Sequence, residues 1–88
     1  MSTSASTFDN PLFEDVKRYN TEQLVTFLER KNLNLGVNVF TSLRSQEVDG
    51  LAFVALTFEQ LISFLTVGNA RKLTSVIEEL NNQSKFYH

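Results

Sequence analysis

Apolar residues recur at helical spacing through most of the chain. The clearest case lies near the C-terminal end, where Leu73, Val76, Ile77 and Leu80 stand at i, i+3, i+4 and i+7 and Glu78 and Glu79 point elsewhere. This spacing predicts an amphipathic helix that Asn81-Asn82 ends. Upstream, Leu24, Phe27 and Leu28 form one apolar face behind Asn20, whose side chain suits a helix cap, and Gln23 completes a capping box three residues on. Glu22, Glu29, Arg30 and Lys31 take the outward side of that helix, the cations falling where they complement its dipole. The segment Asn32-Leu33-Asn34-Leu35-Gly36 predicts a turn with buried leucines. Val37, Phe40 and Leu43 then predict a short helix ending near Ser45.

The run Leu51-Ala52-Phe53-Val54-Ala55-Leu56 fits a buried strand or a buried helical turn equally well by periodicity. No second strand candidate accompanies it, and no alternating strand precedes Asp49-Gly50 to make that pair a hairpin. A helical turn is therefore expected. Thr57, with Gln60 three residues on, caps a further helix in which Phe58, Leu61, Ile62, Phe64 and Leu65 are apolar over more than one face. It is expected to be the most buried element.

Before Asn20, the residues Phe8, Leu12, Phe13, Val16 and Tyr19 mark an arm that packs back onto the domain, entered through Asn10-Pro11, where the residue before proline disfavours helix. A linear docking motif around Asn10-Pro11-Leu12-Phe13 is the alternative. Met1 to Thr7 is nearly all Ser, Thr and Ala, which offer no burial to offset the entropy of ordering. The chain thus divides into a flexible tail over 1–12, an all-α domain over 13–82 and a polar tail over 83–88.

With 42% hydrophobic residues in 88, the chain supports one small core. Cysteine is absent, which excludes disulfides and thiolate metal sites and fits a reducing, intracellular setting, cytoplasmic or nuclear. The longest apolar run falls far short of the roughly 20 residues of a membrane helix, and neither a signal peptide nor a lipid anchor is expected. A net charge of -2 selects no partner class by itself. The one histidine is His88, at a terminus where an imidazole is hard to orient. The acids do not follow calcium-loop spacing, the serines lack a nucleophile elbow and the three glycines are isolated. No catalytic residue, metal or cofactor is expected, so function must rest on surfaces. Glu47, Asp49 and Glu59 form one acidic group, and Arg71 and Lys72 lie beside Gly68 and Asn69. On opposite sides of a domain these groups would allow a heterologous, chain-forming contact; otherwise they are ordinary solvated charges.

Taken in order, Tyr19-Asn20-Thr21-Glu22-Gln23-Leu24, Phe27-Leu28, Phe40, Val48-Asp49-Gly50-Leu51, Phe53, Leu56-Thr57, Leu61 and Gly68 through Leu80 resemble the sterile alpha motif (SAM) domain family. The resemblance covers Tyr19 to Leu80, with Tyr19 standing where the family often has Trp. It implies a compact five-helix bundle that is not an enzyme and binds other proteins, often another SAM domain, including self-association. By position, its mid-loop surface would include Glu47, Asp49 and Glu59, and its end-helix surface Gly68, Asn69, Arg71 and Lys72. Phe64-Leu65-Thr66-Val67 replaces the family's usual Leu-Gly-Ile, and Ala70 stands where an Arg is usual, both on the end-helix side. A minority of the family binds RNA hairpins through basic residues, for which Arg30, Lys31, Arg71 and Lys72 are the matching positions; that is the alternative function.

Overall fold

The computed structural model describes residues 12–86, with side chains as far as Gln83. Among the described residues it is built of helices alone: α1 (Phe13–Lys17), α2 (Thr21–Arg30), α3 (Val37–Ser45), α4 (Gly50–Val54), α5 (Phe58–Ile62) and α6 (Val67–Phe86). The all-α expectation holds, with six helices among the described residues in place of five. The added one is α1, formed by part of the expected packing arm. The Leu12 N–H donates to an Asp15 carboxylate oxygen at 3.1 Å, Glu14 and Asp15 occupy the first turn, and Val16 is fully buried. Phe8, Asn10 and Pro11 lie outside the described residues, as do 1–7 of the expected tail.

Local chemistry sets the helix starts. Asn20 and Gln23 exchange side-chain-to-backbone hydrogen bonds of 2.8 and 2.9 Å at the head of α2, and Thr57 and Gln60 do the same at 3.1 and 3.0 Å before α5. Asp49 caps α4, accepting from the Ala52 N–H at 2.9 Å. The end of α3 is a Schellman turn, in which the Val48 N–H reaches the Leu43 carbonyl and the Glu47 N–H the Arg44 carbonyl, both at 3.0 Å. Glu47 sits there at φ 55°, a conformation that costs an L-residue about 1 kcal/mol. Glu47→Gly is therefore expected to raise stability by about 0.5 to 1 kcal/mol, measured as an upward shift of the urea midpoint at unchanged slope.

Phe53, Leu24, Leu28, Leu43, Leu61 and Leu73 are the largest fully buried side chains. Leu73, Val76, Ile77 and Leu80 all face inward, as their spacing requires. Three expectations fail. The helix after Thr57 is not the most buried element: of α5 only Leu61 is buried, Ile62 is 40% exposed, and Phe58, Phe64 and Leu65 pack half-buried at the rim. Five residues of helix have one inward stripe, and this stripe is Leu61. Nor does the last helix stop at Asn81-Asn82. It runs to Phe86, because Asn81 donates to the Val54 carbonyl at 3.4 Å and Gln83 accepts from the Phe13 N–H at 3.2 Å. Those amides fasten α6 to α4 and α1. Leu33 and Leu35, expected to be buried in the turn before α3, are only half-buried.

A two-pronged ion pair joins α2 to α3, with Arg44 Nε and Nη2 donating to the Glu22 carboxylate at 2.8 and 3.1 Å. The Arg44 hydrogen bond holds the Glu22 carboxyl below its ordinary pKa, so the pair's contribution is present at neutral pH and fades as pH falls through that depressed value. Solvent exposure of both groups keeps the contribution small.

Candidate interaction surfaces

The turn between α3 and α4 presents a compact acidic surface. Val48 is its inward anchor at 6% exposure, while Glu47 and Asp49 on either side are exposed. Within α4, Gly50, Phe53 and Val54 face inward at i, i+3 and i+4, which leaves Leu51 on the outer side at 59% exposure. An exposed leucine with carboxylates at its edge is the usual makeup of an interface patch: an apolar centre and a charged rim. Asp49 has a second duty as the α4 cap, so its charge and its structural role are inseparable in a simple reversal.

A different surface forms where the start of α6 meets the start of α3. Lys72 Nζ donates to the Asn34 carbonyl at 3.1 Å, and a Cβ placed on Gly36 would lie 3.9 Å from Asn69 Nδ2. These contacts set the N-terminal ends of α3 and α6 side by side. Each carries an exposed valine, Val37 at 76% and Val67 at 57%. Gly68 between them and Arg71 has no atom within 4 Å of the position a Cβ would take, so backbone is open to a partner there. The Arg71 guanidinium lies 5.0 Å from the centre of the Phe58 ring, which fixes it against α5.

Glu47 and Asp49 share one turn, and Gly68, Asn69, Arg71 and Lys72 share the opening of α6. Glu59 lies on a different element from the other two acids: it follows Phe58 in the first turn of α5, the element on which Arg71 rests. Two of the four basic residues matched to RNA binding share a surface with carboxylates. Lys31 and Lys72 line a common groove, but Glu78 and Glu79 line it too, and Lys31 Nζ lies 3.9 Å from a Glu79 oxygen. Arg71 stacks over Phe58, and Arg30 is exposed on α2. Leu51, Val37 and Val67 stand on these surfaces without being among the expected site residues. For Leu51 the signal exists, since Gly50, Phe53 and Val54 already fill the inward stripe of so short a helix.

The SAM-like domain family model matches residues 1–79. The chain belongs to the SAM-like domain family. Searches of curated proteins and of solved structures returned no match. The match takes in α1 through α5 and α6 as far as Glu79. In this SAM-like domain Tyr19, in the position where the resemblance places a Trp, packs its ring against Phe27 with centroids 6.0 Å apart, and its carbonyl accepts from the Gly50 N–H at 2.9 Å. No group of acids and histidines suited to a metal ion occurs among the described residues, and no described helix is long and apolar enough to cross a membrane.

Proposed function

We propose that this SAM-like domain is a non-catalytic protein-association module that joins copies of itself, or related domains, head to tail. One observation carries the reading: α3 separates two exposed apolar patches of opposite rim charge. Leu51, with Glu47 and Asp49, follows its C-terminal end, and Val37, beside Val67, Arg71 and Lys72, marks its N-terminal end. Nine helical residues hold these ends about 13 Å apart. One copy's acidic patch then meets the next copy's basic patch while both remaining ends stay open, which is a heterologous contact that propagates. RNA binding has weaker support, since the carboxylates of Glu78 and Glu79 stand beside Lys31 and Lys72 where phosphate would have to approach.

The test uses Glu47→Lys and Val67→Asp, neither of which removes a cap or a buried group. Sedimentation velocity of the unaltered chain is expected to show species that grow with concentration and shrink with salt. Each variant alone should weaken association by about tenfold or more. An equimolar mixture should form a one-to-one complex and nothing larger, because only one intact pair of patches remains. A chain that stays monomeric at every concentration would end the self-association reading and leave a different protein as the partner.

A further inference from the structure

Only the first turns of α6 belong to the surface above, and a second feature lies farther along the helix. Lys72, Ser75, Val76 and Glu79 follow one another at i, i+3, i+4 and i+7 and line a groove of about 550 Å³ whose far wall is Lys31 and Leu33. Its floor is apolar, with Val76 at 3% exposure and Leu33 half-buried. Its two ends differ in charge. Lys72 marks one end, while at the other, about 10 Å away along the helix, Glu78 and Glu79 outnumber the Lys31 that faces Glu79 and leave that end net acidic.

The internal partners of these end groups leave capacity unused. Lys72 spends one of three donors on the Asn34 carbonyl, and Glu79 meets Lys31 only at 3.9 Å with its own side chain 67% exposed. A partner of a single sign would be attracted at one end of the groove and repelled at the other. A strip that is basic at one end and acidic at the other is instead complementary to itself when turned end for end. A two-fold axis through Ser75 and Val76 sets Lys72 of each copy against Glu79 of the other, and the small Ser75 at the crossing allows close approach.

We propose that the α6 groove is an isologous pairing surface for a second copy of this chain, with the two α6 helices antiparallel. It is distinct from the head-to-tail surfaces and joins chains side to side rather than end to end. The two contacts share Lys72 but are separable through Glu79, which only the pairing uses, and Val67, which only the head-to-tail contact uses.

The experiment is sedimentation equilibrium at low salt in a Val67→Asp background, where head-to-tail growth is blocked. The expected result is a monomer-dimer equilibrium. Adding Glu79→Lys, or adding Lys72→Glu, should weaken the dimer about tenfold, since two symmetric attractions become repulsions. An equimolar mixture of those two chains, and a chain carrying both exchanges, should each recover the dimer, because opposite charges again face each other at both ends of the two-fold. Thermal melts within a few degrees of one another confirm that every variant is folded. A strict monomer in the Val67→Asp background, a dimer indifferent to Glu79→Lys, or failure of the double exchange to recover it would each overturn the pairing. Growth that Val67→Asp fails to block would count against the head-to-tail reading instead, and the response to Glu79→Lys would still decide this one.

Discussion

Gly50→Ala is expected to cost about 3 kcal/mol of stability, the upper range for forcing atoms into a packed site. A Cβ built on Gly50 falls 1.7 Å from the Val16 carbonyl oxygen, 2.8 Å from its carbon and 3.2 Å from the Tyr19 Cβ. The first two are backbone atoms, so no side chain can swing aside. Relief requires α4 to move away from α1, which stretches the 2.9 Å hydrogen bond from the Gly50 N–H to the Tyr19 carbonyl and loosens Phe53 and Val54 beneath it. Glycine is needed here for close approach, since the residue is not in the left-handed region. Gly68→Ala is the matched control: it also adds one methyl in a helix, but with nothing within 4 Å, and should raise stability by roughly 0.5 kcal/mol. Urea unfolding of the three chains measures both effects. Equal midpoints for the two variants would mean that α4 does not approach α1 as described.

The Asp49-Gly50 pair shows what the sequence makes visible and what it hides. That a helical turn starts there follows from the absence of any strand to pair with it, and the starts at Asn20 and Thr57 are legible because a cap and its N3 partner lie within one turn of each other. The reason for the glycine is tertiary, a carbonyl from 34 positions upstream in the chain, and no local pattern announces it. The end of α6 was misjudged for the same reason. Asn81-Asn82 looks like a stop because asparagine favours turns, yet Asn81 bonds Val54 and Gln83 beyond it bonds Phe13, which only the folded chain brings near. The helix α1 escaped notice because five residues are too few to show a period, and α5 was overrated because its apolar count hid that one stripe alone can face inward. Among the candidate binding residues, Glu59 lies on α5 while Glu47 and Asp49 share the turn before α4, and the outward valines and Leu51 acquire meaning only once buried neighbours have claimed the inward side.

Phe53→Ala is expected to cost about 3 to 5 kcal/mol, against a total of about 5 to 15 for a domain of ordinary stability. Phe53 is fully buried and is the largest such side chain, so its removal leaves a cavity that the surrounding helices cannot fill without moving. Because α4 is held by Phe53 and Val54 on one side and presents Leu51 on the other, the same substitution should also abolish association through the acidic patch. Leu51→Ala separates the two roles. At 59% exposure it should shift unfolding by no more than about 0.5 kcal/mol, while weakening association by about tenfold. Paired urea melts and sedimentation runs on both variants read the two sides of one short helix independently. If Leu51→Ala unfolds the domain as readily as Phe53→Ala, then Leu51 belongs to the core, and the acidic patch has no apolar centre around which a partner could bind.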